Sequence, residues 1–201
     1  VNTLFGPLCI HIENNTIRVV QIRAALNMKG TEFMKVLTVV DMQNDFITGT
    51  LGNKECQAVV GNVVNVINTG NYDKIIATRD THFEGYLNTQ EGKKLPVEHC
   101  IINTEGWEIQ KDVEAALEAN KDKVTYINKI TFGSTELSEI IKELGTDNEE
   151  LTVDFVGVCT GICIISNAII SKAFAPGADI RVIESACACV TPDSLIHPRF
   201  L

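Results

Sequence analysis

Residues 151–174 read LTVDFVGVCTGICIISNAIISKAF. The opening LTVDFVGV is mostly apolar and rich in β-branched residues, which predicts a strand central to its sheet. Cys163–Phe174 is apolar and long enough for a helix. The GVCTGIC turn between them places Cys163 where the helix begins.

The same alternation extends upstream. Val36–Val40 and Lys74–Thr78 are short apolar strands, and Glu55–Asn68 sets Val59, Val60, Val63, Val64 and Ile67 at helical spacing. Glu108–Asn120 reads as a helix, Lys123–Asn128 as a strand, and Ser134–Leu144 as a helix with Ser134 as N-cap. Asp179–Glu184 is a fifth strand. Strands alternating with helices predict a three-layer α/β/α fold, Rossmann-like, around a mainly parallel, doubly wound sheet. The long polar stretch from Arg79 to Gly106 is longer than a plain connection requires, as functional loops often are.

Composition narrows the partners. The 201 residues hold 26 acidic against 17 basic side chains, a net charge of −9, and no basic cluster. This argues against nucleic acid and anionic membranes as partners. No apolar run approaches the roughly 18 residues of a membrane span. Seven cysteines cannot all pair internally, and residues 1–15 make a poor signal peptide. Free thiols in the cytoplasm are the expectation. Residues 1–33 carry three cations against two acids, unlike the acidic remainder. They are expected to be an extension of doubtful origin, or else a strand and short helix packed on the domain at 34–201.

Ligands of doubly wound sheets bind outside the carboxyl ends of the strands. Asp41 ends the first strand within DMQNDF, Lys129 ends the third within NKITFGS, and Cys163 follows the fourth. A thiol at a helix N-terminus is stabilised as thiolate by the dipole, and a lysine lowers its pKa further. A carboxylate can move the proton, and turn N–H groups can hold an oxyanion. Together these are the parts for acyl transfer through a thioester. Taken singly, each has a plainer reading: Asp41 a turn residue, Lys129 a surface lysine, Cys163 a small buried side chain.

In order and context, DMQNDF, NKITFGS and GVCTGICI resemble the isochorismatase-like cysteine hydrolases, and the nicotinamidase branch in particular. The resemblance runs from about Met34 to Ser194. It implies Asp41 as acid/base, Lys129 as its cationic partner and Cys163 as nucleophile. It also implies a cis peptide at Val158–Cys159 and an oxyanion hole from the backbone of Cys159 and Cys163. Arg79-Asp80-Thr81-His82 and Glu98-His99-Cys100 resemble that branch's metal site. Asp80, His82 and His99 would hold a divalent ion, zinc first, with iron or manganese as alternatives. The implied reaction is hydrolysis of a small carboxamide, nicotinamide or similar, to acid and ammonia. The alternatives are an isochorismatase-like or carbamoyl-compound hydrolase, or a truncated non-catalytic relative. The family commonly forms homo-oligomers.

Several positions depart from that branch. Thr81 and Leu95-Pro96-Val97 stand where it often has tryptophans, so Phe46 and Phe132 are the expected aromatic lining. Cys159 replaces a frequent Ala and Gly161 a frequent Asp. The chain is also expected to lack the family's last helix and strand. Cys187-x-Cys189 fits no strong zinc spacing and reads as structural.

Overall fold

A computed structural model describes residues 8–13, 16–21, 33–147 and 150–189. Its strands are β1 (Leu8–Glu13), β2 (Thr16–Gln21), β3 (Phe33–Val40), β4 (Lys74–Asp80), β5 (Val124–Lys129), β6 (Glu150–Val158) and β7 (Asp179–Ala188). The helices are α1 (Asn44–Ile47), α2 (Lys54–Thr69), α3 (Gln90–Lys94), α4 (Lys111–Glu118), α5 (Thr135–Asp147) and α6 (Ile165–Phe174).

The sheet runs β1-β2-β7-β6-β3-β4-β5. From β7 to β5 every pairing is parallel, giving the expected five-stranded parallel sheet. The β1–β2 hairpin adds antiparallel to the β7 edge, with Thr16 opposite Ile183 and Val19 opposite Ile180. The expected early ending beyond Ser194 lies outside the described residues.

Side chains alternate across a strand, so one strand feeds two cores. Leu37 and Val39 of β3 face one layer, with Val63 and Ile67 of α2 and Val113 and Leu117 of α4. Val36 and Val40 face the other, with Leu137 and Ile141 of α5 and Ala168 of α6. In β6, Val153 and Phe155 join the second core and Val156 and Val158 the first. Burial on both faces explains why LTVDFVGV reads as nearly continuous apolar sequence.

The chain winds outward from β3 through β4 to β5, then restarts beside β3 with β6 and β7. The switch between β3 and β6 opens a crevice at their carboxyl ends. Gly157 lets the two strands approach there. Its φ is +118°, and a Cβ would collide with the Val40 carbonyl oxygen.

The helix ends follow local chemistry. Asn53 caps α2 by accepting the Cys56 N–H at 2.7 Å. Ser134 caps α5 as expected, its Oγ accepting the Leu137 N–H at 3.1 Å. The segment from 79 to 106 is less bare than its polarity implies, holding a 3₁₀ turn at Tyr86–Asn88 as well as α3. Among the described residues no helix is long and apolar enough to cross a membrane.

Candidate active site and metal centre

The crevice gathers Asp41, Lys129 and Cys163, each buried. Asp41 leaves β3 with φ of +52°. Its Oδ1 accepts the Thr78 hydroxyl at 2.7 Å, and its Oδ2 lies 2.7 Å from Lys129 Nζ. Lys129 Nζ also reaches Asp80 Oδ1 at 3.1 Å and Cys163 Sγ at 3.6 Å. Cys163 lies in a single π-type turn, Thr160–Ile164, that runs into α6. The peptide before that turn, Val158–Cys159, is cis.

One lysine thus serves two carboxylates and a thiol. Burial pushes the Asp41 carboxyl up; Lys129 pulls against this and the negative charge of Asp80 adds to it. Burial acts the same way on Asp80, but Lys129, His82 and His99 overturn it and hold Asp80 well below the usual range. Lys129 resists the downward pull of burial, because Asp41 and Asp80 favour its charge.

The Cys163 thiol departs from the sequence expectation. Burial pushes it well above its ordinary value; Lys129 opposes, and Asp41 and Asp80 push it up again. The pull of the lysine is outweighed, so the resting group is a thiol that needs a base. Asp41, which shares the Lys129 ammonium with it, can serve.

Next to this cluster, Asp80, His82, Glu91 and His99 bring one donor atom each within 4.8 Å of one another. His82 Nε2 stands 3.1 Å and His99 Nε2 3.6 Å from Asp80 Oδ2. His99 Nδ1 donates to the Val97 carbonyl at 2.8 Å, which leaves Nε2 as a lone-pair donor. Glu91 Oε1 is buried without a hydrogen-bond partner, and His82 Nε2 is 3.7 Å away. Two imidazoles and two carboxylates with an orphaned oxygen fit a divalent metal ion such as zinc.

The sequence reading missed Glu91, which α3 swings into the cluster from nine residues beyond His82. The only signal was its place inside the long polar stretch. Gln43, within DMQNDF, has a role that its sequence context does not signal. Its amide accepts the Asp80 N–H at 2.7 Å and donates to the Asp80 and Trp107 carbonyls at 2.8 and 2.9 Å, which fixes the backbone of Asp80.

A cleft of about 440 Å³, open mouth included, lies over the thiol. Phe46, Leu51, Leu95, Phe132 and Ile162 give it apolar walls; Asp80, Glu91, His99, Cys159 and Cys163 complete it. Both expected phenylalanines are there. Trp107 is not among the lining residues: its indole donates to Thr81 Oγ1 at 2.9 Å, and the Arg79 guanidinium covers its ring at 4.1 Å.

A buried Asp-Lys-Cys cluster at the switch point of a parallel sheet, preceded by a cis peptide, joins the sequence motifs to one fold family. Residues 35–197 match the isochorismatase domain. The chain belongs to the isochorismatase domain family. It is 25% identical over 175 residues to the nicotinamidase/pyrazinamidase of Mycobacterium tuberculosis, covering 81% of this chain and 91% of that protein. The crystal structure of the pyrazinamidase/nicotinamidase of Streptococcus mutans superposes with a TM-score of 0.67 at 27% identity, over 80% of this chain and 91% of that one. The pyrazinamidase of Pyrococcus horikoshii, solved in complex with zinc, superposes with a TM-score of 0.62 at 24% identity, over 79% and 88%. The protein is an isochorismatase-family hydrolase.

Proposed function

We propose that this isochorismatase-family protein is a cysteine-dependent amidohydrolase of the nicotinamidase type, releasing ammonia from a small uncharged carboxamide. The observation that carries this reading is Lys129 Nζ, 2.7 Å from Asp41 and 3.6 Å from Cys163 beneath an apolar cleft. As the sulfur attacks the carboxamide carbon, its proton passes to Asp41. Lys129 offsets the negative charge as it moves from sulfur to carboxyl. The backbone N–H groups of Cys159 and Cys163 are the proposed donors to the oxyanion. On collapse the C–N bond breaks, and Asp41 returns the proton to the departing ammonia. Asp41 then takes a proton from water as it adds to the thioester, and gives that proton to the sulfur when the acid leaves.

Asp80, His82, Glu91 and His99 would hold the metal, with zinc first and iron or manganese as alternatives. When bound, that ion supplies a Lewis-acid anchor for a ring nitrogen or a water. Phe46 and Phe132 are the proposed walls against the substrate ring. Among the described residues lining the cleft there is no lysine or arginine. This favours an uncharged amide over a carbamoyl acid or isochorismate, whose carboxylates would find only the metal and its histidines as a counter-charge. Cys56, Cys100, Cys159, Cys163 and Cys187 form no disulfide, in keeping with a reducing, cytoplasmic setting. A homo-oligomer is part of the proposal, and sedimentation would report it.

The test is ammonia release from nicotinamide, pyrazinamide and carbamoyl acids, with isochorismate followed by loss of its vinyl ether, alongside elemental analysis of the purified protein. Turnover of the two aromatic amides is expected. Turnover of the carbamoyl acids or isochorismate alone would overturn the substrate class.

A further inference from the structure

We propose that Asn167 is a positioning residue that sets the spacing between Cys163, the Phe132 wall and the segment leaving Lys129. Asn167 lies on α6, four residues after Cys163, and is fully buried. Its Nδ2 donates to the Cys163 carbonyl at 2.7 Å and to the Phe132 carbonyl at 3.0 Å. Its Oδ1 accepts the Ser134 N–H at 2.8 Å. Both carbonyls can only accept and the amide N–H can only donate, so the side chain has one satisfactory orientation.

One carboxamide therefore joins three parts of the site. The first is the turn that carries the nucleophile. The second is residue 132, whose ring lines the cleft. The third is Ser134, which caps α5. Residues 130–133 are the short bridge from Lys129 at the end of β5 to that cap. With the bridge held at Phe132 and Ser134, and the turn held at Cys163, the 3.6 Å between Lys129 Nζ and Cys163 Sγ becomes a fixed distance.

The residue type matters. Aspartate would turn an acceptor toward two carbonyls and add charge beside a crowded cluster. Leucine has similar bulk but leaves two carbonyls and one N–H unpaired. Serine keeps a hydroxyl but falls short of the far partners. Asparagine supplies two donors and one acceptor and is neutral at every working pH.

Ser171 provides the comparison. It is also buried on α6, and its hydroxyl meets that of Ser138 on α5 at 3.3 Å, bridging the same two helices away from the cleft. The experiment compares wild type, Asn167→Leu and Ser171→Ala well below their melting temperatures. It measures kcat and KM for an amide the wild type hydrolyses, and the rate of Cys163 alkylation by iodoacetamide, located by peptide mass spectrometry. Misplacement of reacting groups by about 1 Å can lower turnover roughly 100-fold. Asn167→Leu is expected to lose about 10- to 100-fold in kcat, with a smaller rise in KM through the Phe132 wall. Its Cys163 alkylation is expected to slow about tenfold, because the lysine no longer stabilises the thiolate at close range. Ser171→Ala should stay within about twofold of wild type in both.

The kinetic arm rests on the amidohydrolase reading; the alkylation arm does not. If wild type releases no ammonia from any amide yet Asn167→Leu alkylates slowly, the positioning role stands and the proposed reaction falls. If Asn167→Leu keeps wild-type kcat and alkylation, or if Ser171→Ala loses as much, the positioning role is overturned. Should Asn167→Leu fail to fold, Asn167→Ser takes its place with an expected loss of about fivefold or more, and wild-type behaviour of that variant overturns the proposal equally.

Discussion

The two ends of the parallel sheet each bury an aspartate against a cation, and they use it differently. At the amino end, Asp154 of β6 receives a two-pronged contact from Arg181, with Nη2 to Oδ2 at 3.0 Å, and the Tyr72 hydroxyl at 2.8 Å. The donors match the oxygens, and Arg181 keeps 18% of its side chain in solvent. At the carboxyl end, Lys129 is shared among Asp41, Asp80 and Cys163, and all are buried. Glu91 Oε1 nearby is buried without a hydrogen-bond partner. A satisfied ion pair fastens β6 to β7. An oversubscribed one leaves protons without a settled place, which is what acid–base chemistry and metal binding require.

That contrast can be broken in order of effect. Cys163→Ala should reduce ammonia release to background while elemental analysis finds the metal content unchanged; full activity would end the thioester mechanism. Asp41→Asn should lower kcat about 10²- to 10⁴-fold, since a neutral amide cannot take the thiol proton. The wild-type pH profile adds a sign. Burial and Asp80 push Asp41 up, so acid should protonate the base early. The acidic limb of kcat/KM should therefore lie above the ordinary aspartate value of about 3.9, and a limb at or below it would refute the assignment.

Asp154→Ala sharpens the other half. Removing Asp154 takes the two-pronged partner from a half-buried Arg181 and the acceptor from the Tyr72 hydroxyl, leaving only Asp179 at 4.0 Å, and a loss of about 2 kcal/mol is expected in urea denaturation, with kcat within about twofold. A matching loss of kcat would mean that the two ends are coupled. The smallest effect belongs to Glu91→Gln, where metal affinity measured by chelator competition should weaken about tenfold. An unchanged affinity would remove Glu91 from the ligand set.

The sequence made much of this architecture legible, for local reasons. Strands buried on both faces must be apolar throughout, so 36–40 and 151–158 declared themselves. α2 and α5 showed their stripes, and Ser134 showed the cap of α5. Less legible was the fate of residues 8–13 and 16–21, two strands of which the second pairs with β7. That pairing depends on which sheet edge is open, and no local pattern encodes that. Glu91 was hidden because a carboxylate on a short helix in a polar stretch looks like any solvated acid. Asn167 was hidden because an asparagine within an apolar helix reveals nothing of its partners at Phe132 and Ser134, 35 and 33 residues upstream.

By itself the sequence determined the fold class and the identity of the chemical groups, because periodicity and side-chain type are properties of the chain. It placed Asp41 and Lys129 at strand ends and Cys163 at the start of a helix, and through the family resemblance it offered Asp80, His82 and His99 as candidate ligands. Only the tertiary structure decided their electrostatics. The sequence reading made Cys163 an activated thiolate, from a dipole and a lysine. In three dimensions that lysine is shared with two buried carboxylates, and the thiol is pushed up instead. Charge balance depends on distance and burial, and both exist only once the strands are side by side.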